Sequence, residues 1–140
     1  MYSKSFNLEI NKKISPFKKN IKVDSDKSIS IRSFIISAIS QNISKIENVL
    51  ESDDVFSTIN CLKKLGVKIL KKSRGNYLVY GKGLGSLYAK KNLELNFGNS
   101  GTLARLLLGV LSSTPNIELR VKGDHSLNKR NMKKLVFLMS

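Results

Sequence analysis

The residues able to do chemistry fall in three polar segments. In the first, Asp26-Lys27-Ser28-Ile29-Ser30-Ile31-Arg32, Arg32 follows Ser28 by four. On a helix that spacing sets both side chains on one face, where with Lys27 they can hold one phosphate between an ammonium, a hydroxyl and a guanidinium. The second, Gly98-Asn99-Ser100-Gly101-Thr102, opens an apolar run in which Arg105 stands four after Gly101. Its glycines leave the backbone open or turn it sharply, while Asn99, Ser100 and Thr102 can cap a helix or donate to a ligand. The third, "GDHSLNKR", carries Lys129 and Arg130. All three suit anion binding, because a helix N-terminus offers unpaired N–H groups and a partial positive charge. For the second segment alone, a capped helix with a tight turn and no ligand is the alternative.

Other chemistry has little support. His125 is the only histidine and has no sequence-local metal partners, so it reads as an exposed loop residue beside Asp124 and no metal site is expected. Cys61, the only cysteine, can form neither an internal disulfide nor a cysteine cluster and reads as a small core residue. The formal charge of +15 would attract phosphates, nucleic acids, acidic lipids or anionic metabolites. Much of it is spread in Lys-Lys pairs such as Lys63-Lys64 and Lys71-Lys72, which suits solvated faces. A nucleic-acid-binding module is disfavoured, since Tyr77, Tyr80 and Tyr88 are not interleaved with arginine as in a base-stacking platform. The N-terminal residues lack the apolar centre of a signal peptide and no apolar stretch reaches membrane-spanning length, so a soluble cytoplasmic protein is expected, with no membrane partner.

The elements that must hold these residues follow from periodicity. "FNLEI" (6–10) reads as a strand, followed by a polar connection, a brief strand near "IKV" and a hinge at Asp24 to Lys27. The next segment is ambiguous: "SISI" alternates like a strand, whereas Ile29, Ile35, Ile36 and Ile39 suit a helix, and length argues for helix. "SKIENVL" (44–50) reads as a strand, and Ser52-Asp53-Asp54 starts a helix carrying Val55, Ile59, Leu62 and Leu65 up to Gly66. "VKILKK" and "NYLVYG" form a hairpin around "SRGN". The order then restarts with a strand at "LELNF", a helix over Thr102–Ser113, a strand at "NIELRV" and a helix in "NKRNMKKLVFLMS". The period is too long for a solenoid and fits a duplicated supersecondary unit whose second copy is incomplete.

Three motifs, "DKSISIR" (26–32), "GNSGTLARLLLG" (98–109) and "GDHSLNKRNM" (123–132), together with "LESDDVFSTINCLKKLGVKI" between them, resemble the EPSP synthase (3-phosphoshikimate 1-carboxyvinyltransferase) family. The resemblance covers nearly the whole chain but only the N-terminal third of the family's length. It implies an α/β fold of repeated βαβαββ units in an inside-out α/β barrel, helices buried and sheets outside, truncated here to one full unit plus part of a second. Residues 1–20 would belong to a second, mostly absent globule and residues 21–140 to a partial N-terminal globule.

The implied activity moves the enolpyruvyl group of phosphoenolpyruvate to the 5-hydroxyl of shikimate 3-phosphate, releasing phosphate. This is a shikimate-pathway step towards chorismate and the aromatic amino acids, without metal or organic cofactor. By the resemblance Lys27 contacts both substrates and assists proton transfer. Ser28 and Arg32 bind shikimate 3-phosphate. Gly101 packs against phosphoenolpyruvate, where glyphosate competes, and Arg130 binds phosphoenolpyruvate. Asn99 and Arg105 shape the pocket. Two positions depart from the family pattern, Ile31 where it usually has His and Asn131 where it usually has Pro. The family keeps further catalytic residues beyond the stretch covered here, so this chain alone is expected to be inactive and the full-length protein a monomer. A related enzyme acting on UDP-N-acetylglucosamine would share the architecture; the first two motifs favour the shikimate enzyme.

Overall fold

The first helix, α1 (Lys27–Ile39), is rich in β-branched residues that ordinarily weaken helices, and burial compensates for them. Ser30, Ile31, Phe34, Ile35, Ser37 and Ala38 are buried on one broad face, while Ile29, Arg32 and Ile36 on the other side are exposed. Burial of each large apolar side chain contributes about 1.5–3 kcal/mol, which decides the strand-or-helix ambiguity for helix. The Asp26 carboxylate starts the helix by accepting from the Ile29 N–H at 2.7 Å. The structure, a computed structural model, describes residues 23–133 continuously and single positions on either side. The expected strand at 6–10, the assignment of residues 1–20 to another globule and the end of the last expected helix lie largely outside the described residues.

Strand β1 (Ile43–Ile46), helix α2 (Asp53–Lys64) and the hairpin β2 (Lys68–Ser73) and β3 (Asn76–Tyr80) complete the first unit. The antiparallel sheet has the order β1-β3-β2, with Ile46 opposite Tyr77 and Ile69 opposite Val79. Those four side chains are buried, and the Phe34 ring of α1 meets Tyr77 edge-on at 5.2 Å. On the opposite face Ile43, Lys45, Lys68 and Leu70 are exposed, so the sheet is an outer layer.

The second unit begins with β4 (Glu94–Asn96), α3 (Gly101–Ser112), β5 (Arg120–Lys122) and the short α4 (His125–Asn128). β4 and β5 pair in parallel, Leu95 opposite Val121, as a strand–helix–strand crossover requires. Leu103, Ala104, Leu107 and Leu111 of α3 join residues of the first unit in one core, and α1 packs against both α2 and α3. The units also bond directly: the Cys61 thiol donates to the Asn96 carbonyl at 3.4 Å and Lys64 Nζ to the Glu94 carbonyl at 3.1 Å.

Four expectations change. The strand expected over 44–50 ends at Ile46, because Asn48 turns the chain at φ 56°. The strand expected at "NIELRV" is reduced to Arg120–Lys122 after another left-handed asparagine, Asn116 at φ 53°. Val23 lies outside any strand. The last helix was expected from Asn128, where α4 instead ends: Asp124 Oδ1 accepts from the Leu127 N–H at 2.7 Å and starts the helix earlier, leaving 129–132 non-helical.

Candidate functional site

The N-termini of α1 and α3 meet, with Ser28 Oγ and Thr102 Oγ1 3.5 Å apart. Both ends are capped by side chains. Asp26 serves α1, and the fully buried Ser100 serves α3 by accepting from the Leu103 N–H at 3.2 Å. Ser100 is therefore committed to capping. These caps leave the N–H groups of Lys27, Ser28, Gly101 and Thr102 without partners among the described residues. Two positive helix ends thus flank one space.

The loop before α3 needs small residues for steric reasons. Gly98 lies in the left-handed region at φ 56°, and a Cβ there would come within 3.0 Å of Ser57 Oγ. At Gly101 the obstacle is a guanidinium: a Cβ would meet Arg130 Nη1 at 2.5 Å. Arg130 Nη2 donates to Asn99 Oδ1 at 2.9 Å, so Asn99 and the bare Cα of Gly101 together fix where this cation sits. The Arg130 backbone is set by the turn that closes α4, its N–H donating to the Leu127 carbonyl at 3.0 Å.

A cleft of about 460 Å³ occupies this junction. Lys27, Ser28 and Arg32 of α1 line it, with Asn99, Gly101 and Arg105 at the start of α3 and Arg130 beyond α4. Every site residue that the family resemblance implied therefore borders one space. Arg32 is exposed and opens onto the cleft, as the spacing from Ser28 requires. Lys129 and the exposed His125 do not line it. Of the two departures from the family pattern, Ile31 is fully buried in the core and Asn131 is exposed, its side chain accepting from the Lys133 N–H at 2.9 Å.

Sequence reasoning missed Asp54, read there only as a helix-start acid. Its carboxylate lies 2.8 Å from Lys27 Nζ, with the side chains 16% and 50% exposed. No local spacing signals this pair, which the packing of α2 on α1 creates. Leu106 was also missed, and Thr102 stands beside Ser28 as a second hydroxyl. The cleft thus gathers four cations, one carboxylate, two hydroxyls and two open helix ends. Such a set can bind a small, multiply charged anion.

A second polar cluster lies elsewhere. The Glu51 carboxylate accepts from the Gly75 N–H at 2.9 Å, Lys71 Nζ at 2.8 Å and the Tyr77 hydroxyl at 2.8 Å. These bonds, the Gly75 N–H foremost, pull its pKa down to about 2. Burial and the Glu51 bond push Tyr77 up to about 12, keeping it a donor. The cluster staples the hairpin to the chain before α2. Among the described residues no group of three or more His, Cys, Asp or Glu could hold a metal ion, and no helix is long and apolar enough to cross a membrane.

Comparison with known proteins gives a consistent result. The family model for EPSP synthase (3-phosphoshikimate 1-carboxyvinyltransferase) matches residues 11–139. The chain is 41% identical over 128 residues to the 3-phosphoshikimate 1-carboxyvinyltransferase of Syntrophomonas wolfei, covering 91% of this chain and 29% of that protein. It is 43% identical over 124 residues to that of a Sulfurihydrogenibium species, covering 89% of this chain and 28% of that protein. A solved EPSP synthase from Acinetobacter baumannii superposes with a TM-score of 0.75 at 34% identity, covering 84% of this chain and 26% of the other. The chain therefore spans less than a third of the length of the relatives it matches.

Proposed function

The chain belongs to the EPSP synthase family, and from that premise we propose that it forms one wall of an enzyme joining phosphoenolpyruvate to shikimate 3-phosphate. The reaction moves the enolpyruvyl group to the 5-hydroxyl of shikimate 3-phosphate and releases phosphate through a tetrahedral addition intermediate. The observation that carries this reading is the convergence of Lys27, Arg32, Arg105 and Arg130 with two open helix ends on one cleft. Two polyanionic substrates repel each other, and fixed positive charge with aligned N–H donors offsets that repulsion without reorganising water at each turnover.

In this reading Ser28 and Arg32, one helical turn apart on α1, take the phosphate of shikimate 3-phosphate. Arg130, aimed by Asn99 and seated on Gly101, takes phosphoenolpyruvate, and Arg105 supplies charge at the rim. Lys27 stands at the mouth of α1 between these two sets, where one ammonium can contact both substrates and move a proton. Residues 21–140 then belong to one globule and residues 1–20 to another, in a cytoplasmic, monomeric enzyme that acts on small molecules rather than nucleic acid.

The test is phosphate release from the two substrates by a polypeptide of family length carrying this segment, with and without Lys27→Met. Turnover lost with the melting temperature unchanged is the expected result. Near-normal phosphate release would remove Lys27 from the chemistry.

A further inference from the structure

Asp54 has the wrong charge for a phosphate site. Its carboxylate lines the cleft 2.8 Å from Lys27 Nζ and is largely enclosed, whereas Lys27 is half exposed. Helix stabilisation does not account for it. Asp53, its exposed neighbour, already places a negative charge in the first turn of α2 without reaching the cleft. The main chain at Asp54 is held by the buried Thr58, whose hydroxyl donates to the Asp54 carbonyl at 2.9 Å. The carboxylate thus projects from a fixed point on α2 towards an ammonium on a long, flexible stem. When the cleft is empty, the cation expected to meet a phosphate already has a counter-ion.

We propose that Asp54 is a release residue: it competes with bound phosphate for Lys27 and keeps the affinity of the cleft for inorganic phosphate low. This rests on the reading of the cleft as a phosphate-handling site. In that reaction inorganic phosphate is a product, and four cations with open helix ends would retain it. A carboxylate already in contact with one of those cations opposes retention in two ways: it repels the dianion, and it reoccupies the ammonium as the dianion leaves. Because Lys27 is half exposed, the effect weakens with added salt.

The experiment is calorimetric titration of inorganic phosphate into this chain at low ionic strength, for the wild type, Asp54→Asn, Asp54→Glu and Asp53→Asn. Loss of one charge close to a bound dianion is expected to tighten phosphate binding about tenfold in Asp54→Asn. Asp54→Glu keeps the charge and stays near wild type. Asp53→Asn removes an equal charge from the same helix turn and also stays near wild type, which separates the ion pair from any general effect on α2. Melting temperatures identify a variant that fails to fold, and Asp54→Ser, which also removes the charge, then takes the place of Asp54→Asn.

Unchanged affinity in Asp54→Asn would overturn the proposal. Weaker binding in that variant would overturn it too, by showing that the carboxylate aims Lys27 rather than competing for it. If none of the four proteins binds phosphate, the phosphate-site reading itself falls and the proposal with it.

Discussion

Alanine at Gly101 tests the geometry of the cleft without disturbing the core. Its Cβ would stand 2.5 Å from Arg130 Nη1, whereas ordinary contact begins near 3.4 Å, so the guanidinium must retreat by about 1 Å. That movement stretches the 2.9 Å bond from Arg130 Nη2 to Asn99 Oδ1. Both partners are exposed, so the bond itself contributes only about 1 kcal/mol. The larger effect is on ligand binding, since a shift of ~1 Å in a positioning group costs up to about a hundredfold. For stability a gain offsets that lost bond. Gly101 is the first residue of α3 and its φ is not in the left-handed region, so alanine there should raise stability by about 0.4–1 kcal/mol. The two effects nearly cancel, so scanning calorimetry and titration with phosphoenolpyruvate on the same samples should show a melting temperature little changed and an affinity about 10- to 100-fold lower. Glyphosate should lose affinity in parallel. Unchanged affinity for both ligands would refute the role given to the Arg130 contact.

Glu51 gives a pH signature. Its folded pKa of about 2 lies below the ordinary 4.5, so its contribution to stability is complete above about pH 4.5 and is lost as pH falls through about 2. Glu51→Gln should flatten the fall in melting temperature between these limits, and parallel curves for the two proteins would contradict the staple. The Cys61 thiol, pushed up to about 11 chiefly by burial, should resist a disulfide exchange reagent at pH 8 until denaturant is added; prompt reaction of the native protein would mean that the seam between α2 and β4 is open. Phe34→Ala removes a fully buried ring packed on Tyr77 and should cost about 3–5 kcal/mol in urea melts; a loss under ~1 kcal/mol would place the core elsewhere.

Much of the site was legible because helix starts leave strong local signals. The spacing of Ser28 and Arg32, the small residues before α3 and the Lys-Arg pair each pointed to a cation or donor at an element end, and those ends converge, with Arg130 alone of the pair in the cleft. Asp54 was not legible as a site residue, because its pairing with Lys27 depends on how two helices pack rather than on spacing. Arg32 shows the converse. It sits among apolar residues, of which Ile31, Phe34 and Ile35 turn to the core while the guanidinium opens onto the cleft. Strand ends were misread where asparagine, not glycine, turns the chain: Asn48 and Asn116 both have positive φ. Asp124 was the missed cap of α4, because the apolar run after it suggested a later helix start.

The central claim is that one cleft at the meeting of α1 and α3 takes the substrate phosphates. The most direct measurement is titration of shikimate 3-phosphate, then phosphoenolpyruvate, into the ¹⁵N-labelled chain, following backbone amides and arginine side chains. The expected result is saturable shifts at the amides of Lys27, Ser28, Gly101 and Thr102 and at the guanidinium groups of Arg32 and Arg130, all lost in Lys27→Met/Arg32→Ala. Shifts confined to the lysine-rich β2–β3 hairpin, or undiminished in that double variant, would contradict it.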